Sequence, residues 1–272
     1  TRYGTVTGVQ TCALPIFTAS PGLNVAGFYA GGNVVVNQPI NAVGMQLTGG
    51  AGLSGTGAAG GIVLINANVS AVGANSTFTG GAGGAGGFSL SGSPFTPGGA
   101  GGNVTIATGA TLSGSRVTLT GGAGAQGAGT ANNGGGTTGD GGAGGSVTVN
   151  GAVSSAAFGA TLTGGAGGNA GDQGCCTPAY SSGNGGAGGS IVLGGNITST
   201  AHTALTAGAG GAVGQSLSLS APLAGGTAGA RGTISQTSAS SINTYTFKAH
   251  AASVDLSSPL DRKSTRLNSS HS

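Results

Sequence analysis

The chain has 272 residues, of which 64 are glycine, while Asp, Glu, Lys and Arg together make up 4% and aromatic residues another 4%, with no tryptophan. Ordinary globular domains carry about 7% glycine and about 25% charged residues, so a conventional core wrapped in a charged surface is excluded. Collagen is excluded as well, because glycine does not hold every third position and there are only 8 prolines.

The formal net charge of +3 arises at the ends. Asp261, Arg262, Lys263 and Arg266 lie in 261–272, and Arg2 lies in 1–17. Between them Arg116, Arg231 and Lys248 balance Asp140, Asp172 and Asp255. A basic total usually points to nucleic acid or an anionic membrane. A neutral middle removes that argument, and no nucleic-acid partner is expected. The strings GVQTCALPIF and RKSTRLNSSHS resemble translated sequencing adaptor. On that resemblance 1–17 and 261–272 are expected to be non-native ends, set aside from fold reasoning, around one repeat domain over 18–260. The sole methionine, Met45, fits an open-ended fragment. No apolar run approaches the roughly 18 residues of a transmembrane helix, so no membrane span is expected.

Taken in chain order, five segments open on a glycine pair and a short apolar strand: GGNVVVNQPI from Gly31, GGIVLINANV from Gly60, GGNVTIATGATL from Gly101, GGSVTVNGAV from Gly144 and GGSIVLGGNI from Gly188. A degenerate sixth copy, SLSLSAPL, is placed at Ser216. In each copy turn residues follow the strand, then a second branched apolar position, then a third short strand closing on Leu-Thr or Phe-Thr at Thr48, Thr79, Thr120, Thr163 and Thr206. Apolar residues alternate with Ser, Thr and Asn, the pattern of a half-buried strand, and no segment has helical periodicity. A unit of this size cannot bury its apolar face alone and must stack on its neighbours. The expected fold is all-β, a parallel β-solenoid with rungs starting near 31, 60, 101, 144, 188 and 216.

Glycine-rich excursions join the rungs: 49–61, 80–102, 121–145 and 164–189, most of them opening and closing on GGAGG-like runs. The Gly-Gly-Ala triplet has the three-residue period of a polyproline-II-type helix, which lets two glycine edges meet neighbouring backbones while alanine lines the third. The excursions are therefore expected to be polyglycine-II-like hairpins whose backbone groups satisfy one another, rather than floppy loops.

Chemistry is sparse. With nearly a quarter of the chain glycine, matches to GxGxxG such as Gly55-Gly57-Gly60 arise by chance. The stretches ending at Asp140 and Asp172 miss the GGxGxD calcium pattern by one residue. Three separated aspartates and no glutamate in the middle of the chain do not form the carboxylate pair that polysaccharide cleavage needs. His202, His250 and His271 show no ligand spacing, so no catalysis, cofactor or metal is expected. Cys175-Cys176 allows a strained vicinal disulfide, two exposed thiols, or a bond to another chain that would support self-association. The excursion tips vary while the rungs stay alike, and such loops are where recognition tends to sit. The candidate contact residues are Phe88 and Phe95 in one tip, Asn132 and Asn133 in the next, and Cys175, Cys176 and Tyr180 in the third.

The rung pattern, as in GGNVTIATGATLSGSRVTLTGG, resembles the β-strand repeats of filamentous-haemagglutinin-like and autotransporter adhesins. The GGAGG excursions are similar to glycine-rich phage tail-fibre adhesins and to PGRS-type mycobacterial repeats. The first resemblance implies a secreted bacterial surface protein that contacts a host-cell glycan or protein; the second implies a phage receptor-binding adhesin. Ice or mineral binding is a third expectation, resting on threonines such as Thr105, Thr118 and Thr120 and requiring them to form a flat, regular array.

Overall fold

The fold is given by a computed structural model that describes residues 4–6, 10–11, 16–18, 30–87, 95–129, 136–173, 180–216, 221–222, 224–237, 239–256 and 261–262. Among the described residues every named element is a strand, and most of the strands form two long parallel sheets, with two further two-stranded pairs beside them. The first sheet takes one short strand from each repeat, in the order Gly4–Val6, Val34–Val36, Val63–Ile65, Val104–Ile106, Val147–Val149, Ile191–Leu193, Ile234–Gln236 and Val254–Leu256. The second runs Gln10–Thr11, Ile40–Ala42, Val69–Thr79, Thr111–Thr120, Ala152–Thr163, Ile197–Thr206, Ile242–His250 and Asp261–Arg262, with Met45–Thr48 pairing the C-terminal half of Val69–Thr79.

Register is held by like residues stacked on like. Val34, Val63, Val104, Val147, Ile191 and Ile234 form one column, and Ile40, Val69, Leu112, Val153, Ile197 and Ile242 another. A one-residue slip would turn each of these side chains to solvent, which is why alternation specifies the pairing. The columns meet in one buried core that also holds Leu47, Phe78, Leu119, Leu162 and Leu205. Each such side chain contributes about 1.5–3 kcal/mol on burial, and much of that burial is against the neighbouring repeat.

At the corners polar side chains accept the N–H of the next repeat. Asn103 Oδ1 takes the Ser146 N–H at 2.7 Å, Ser146 Oγ takes the Ser190 N–H at 3.1 Å and Ser190 Oγ takes the Thr233 N–H at 3.1 Å. These bonds join residues 43 or 44 apart, against 29 between the first two repeats, where Asn33 Oδ1 accepts from Ile62 N–H.

Two expectations need correction. The repeat following Ile191–Leu193 is Ile234–Gln236, not the segment at Ser216: Gln215–Ser216 pairs antiparallel with Ala221–Pro222. The Ser-Leu alternation imitates a rung, whereas the true one lacks the opening glycine pair and carries Gln236 at a core position. Gln236 is accommodated because its Nε2 donates to the Ser240 carbonyl at 2.9 Å, and Ser240 Oγ in turn donates to the Leu193 carbonyl at 2.9 Å. The second and third short strands are also continuous after the first repeat, as in Thr111–Thr120, with the register shifting between Gly114 and Arg116. In Ala152–Thr163 the same irregularity includes Gly159, whose φ of 96° suits only glycine. Strands in both terminal segments, Gly4–Val6 and Asp261–Arg262 among them, extend the ladders beyond 18–260, since an open sheet edge offers unpaired N–H and C=O groups to neighbouring chain.

The glycine-rich excursions are tied together by backbone hydrogen bonds in two directions. Along one layer, every third N–H of an outbound leg donates to the next repeat: Gly80 to Thr120, Gly83 to Ala123 and Gly86 to Gln126, at 2.9 Å each. Return legs do the same, with Gly101 donating to Ala143 and Gly144 to Ala187, both at 2.8 Å. The residue after each of these inner glycines bonds across the two layers, in a zigzag through Gly81, Gly102, Gly122, Gly145, Gly165, Gly189 and Gly208. The third position faces solvent: Ala82, Ala123 and Ala166 are exposed on the outbound side, Ala100, Ala143 and Ala187 on the return side. A Cβ built on Gly102 would overlap the Gly61 carbonyl oxygen, so the approach of the layers requires glycine there. Backbone bonds alone do not offset the ordering entropy of so much glycine. Each leg is clamped where it leaves or rejoins a sheet strand.

Candidate functional site

Of the tip residues, Phe88, Asn132, Asn133, Cys175 and Cys176 lie outside the described residues. Phe95 is half-buried on the chain returning from the first tip. Tyr180 lies in the strand Tyr180–Ser181, which pairs in parallel with Gly136–Thr137 of the preceding repeat. Gln173, before the third tip, bridges in parallel to Ser216 of the following repeat. The structure thus places the flanks of successive tips one strand step apart along the same outer edge of the glycine layers.

Side chains reinforce that edge. Asp172 Oδ1 accepts the Gln215 N–H at 2.9 Å while its Oδ2 accepts from Gln126 Nε2 at 3.0 Å. Asp140 Oδ1 accepts the Asn184 N–H at 2.6 Å, and Asn184 Oδ1 accepts the Thr227 N–H at 3.0 Å. Inside the slab Ser182 Oγ accepts the Gly214 N–H at 2.8 Å and Thr138 Oγ1 accepts the Gly183 N–H at 2.9 Å. Both carboxylates therefore serve as acceptors between repeats. Among the described residues no three His, Cys, Asp or Glu side chains group to hold a metal ion, and no helix is long and apolar enough to cross a membrane.

A second feature runs along the stack where the long sheet gives way to the outbound glycine legs. Thr48, Thr79, Thr120, Thr163 and Thr206 form one unbroken rank at the base of a trough of about 770 Å³, whose slab wall is the alanine rank three residues further on. A second rank, Thr77, Thr118 and Thr161, stands two residues back on the same face. Thr118 and Thr120 thus belong to ranks. Thr105 lies in the other sheet between Leu64 and Thr148. The signal for these ranks was the Leu-Thr or Phe-Thr that closes each third strand.

The flanks of this face carry the cations. Arg231 lines one end of the trough and its Nη1 donates to the Ala207 carbonyl at 3.4 Å, while the Ala207 N–H donates to the His250 backbone carbonyl at 2.8 Å. Lys248 pairs in register with Ala204, one position before Leu205. On the far side of the face Arg116 sits 5.3 Å over the Phe158 ring, and His202 packs against Gly159. Phe158 and Tyr245 are 53% and 60% exposed in a chain with few aromatics. Composition alone did not foreshadow this grouping, because these residues are far apart in sequence. Comparison with protein-family models, curated proteins and solved structures finds no match.

Proposed function

We propose that the chain is a stretch of an extracellular bacterial surface protein, a β-solenoid whose polyglycine-II-like hairpins form a slab that presents variable tips for adhesion. The observation that carries this reading is the pairing of Gly136–Thr137 with Tyr180–Ser181, which holds the flanks of the second and third tips one strand step apart at the slab's outer edge. A repetitive scaffold that brings dissimilar loops to one edge suits multivalent contact, where weak individual sites add through effective concentration. A phage tail-fibre adhesin would present its tips in the same way, and the gene neighbourhood separates the two.

The test is to replace 88–94, 130–135 and 174–179 by Gly-Ser segments of equal length and to measure binding to host cells and to a glycan array. Loss of binding with unchanged circular dichroism supports the assignment. Binding that is the same with and without the native tips defeats it.

A further inference from the structure

We propose that the threonine-floored trough is a second binding surface, separate from the tips, and that its ligand is an acidic polysaccharide chain lying along the stack. The proposal goes beyond tip-borne adhesion and does not depend on it.

Three observations converge. The first is shape and repetition. Five threonines stand in register at the base, one per repeat, with an exposed alanine wall beside them. Neighbouring strands are about 4.8 Å apart, so the rank spans roughly 19 Å and repeats the same largely apolar threonine and alanine surface at each step. A linear polymer with a repeating apolar C–H face matches such a one-dimensional pattern. A flat crystal face does not reach the base of a trough.

The second is charge. The three Lys and Arg residues described between the first and last repeats, Arg116, Arg231 and Lys248, all lie on or at the rim of this one face, as do His202 and His250. Asp261, at the end of the second sheet, pairs with Asn243 and is followed by Arg262; the other aspartates lie elsewhere. Asp255 is in the first sheet, Asp140 is on the return side of the slab, and Asp172 is nine residues beyond Thr163, three turns or about 28 Å out along its leg. A chain with balanced charges has thus segregated them, and the trough faces the positive side. Segregation of this kind favours an anionic partner through steering and register.

The third is the exposed aromatic pair. Phe158 and Tyr245 sit two repeats apart on the flank of the same face, beside Arg116 and His202. Solvent-exposed aromatic side chains, one of them beside an arginine, suit sugar rings that carry carboxylates, giving apolar contact and ion pairing together. Three permanent cations are too few for the many phosphate contacts on which nucleic-acid affinity rests, which favours a sparsely charged glycan.

The experiment uses the full chain and its tip-replaced form against immobilised polygalacturonate, hyaluronate and chondroitin sulfate, with dextran and single-stranded poly(dT) as comparators. The expected result is binding of at least one acidic glycan, retained by the tip-replaced form and weakened by salt. The double variant R231Q/K248Q should bind roughly tenfold more weakly, or worse. T120E, which places a carboxylate on the trough floor, should abolish binding while the circular dichroism spectrum stays unchanged. Failure to bind any of the three acidic glycans overturns the proposal, as does equal binding by R231Q/K248Q. Preferential binding of poly(dT), or thermal hysteresis in place of glycan binding, would also overturn it. Loss of glycan binding on tip replacement alone would assign the activity to the tips.

Discussion

The Gly122 N–H donates to the Gly102 carbonyl at 2.8 Å, and the Gly122 carbonyl accepts the Gly145 N–H at 2.7 Å, so one glycine joins the return legs of two successive excursions. The contact leaves no room for a side chain, since a Cβ on Gly122 would overlap the Gly81 carbonyl oxygen. Gly122→Ala should therefore destabilise the slab by about 1–3 kcal/mol, as overpacking does. Ala123→Ser, at the neighbouring exposed position, should change stability by less than about 0.5 kcal/mol. Urea unfolding of both variants compares the two, and equal midpoints would remove the close-packed slab.

Leu119 is fully buried between Phe78 and Leu162 in the same column. Leu119→Ala removes contact with two repeats at once and should lower stability by about 2–5 kcal/mol. Thermal unfolding measures it, and a shift no larger than that of a surface alanine would show that the column does not carry the stacking energy.

The repeat itself was legible because its signal is local. Period-two alternation, a turn triplet and a closing Leu-Thr or Phe-Thr recur in every early copy, so the strands at Val34, Val63, Val104, Val147 and Ile191 could be placed from sequence. The rung at Ile234 was not, because a buried glutamine hides it. Gln236 occupies the column of Ile106 and Val149 only by making a hydrogen bond to Ser240, and no residue pattern announces that compensation. The merging of the second and third strands was likewise hidden, since it depends on register shifts at Gly114 and Gly159 that only the pairing reveals. The basic rim of the trough escaped for a topological reason. Arg116, Arg231 and Lys248 are scattered along the sequence, and stacking repeats brings them to one face.

Ser76 and Thr203 occupy the core column that also holds Met45, Val117, Ala160 and Phe247, and their hydroxyl oxygens are buried without a hydrogen-bond partner. A buried unpaired hydroxyl costs about 1–3 kcal/mol. Ser76→Ala and Thr203→Val should each raise stability by about 1 kcal/mol, Thr203→Val with its volume conserved. Chemical denaturation is the readout. A fall of similar size would mean that these hydroxyls do find partners in solution.

The central claim is that the glycine-rich excursions are ordered layers locked to the sheets, not loops. Amide hydrogen exchange on 80–87, 121–129 and 164–171 tests it most directly, because within these stretches two of every three residues on a leg donate to backbone in the structure, as Gly83 does to Ala123 and Gly84 to Ala58. Protection in these segments should approach that of the core strands Val104–Ile106 and Val147–Val149. Exchange at the rate of an unstructured peptide throughout all three segments, with the strands still protected, would contradict the account.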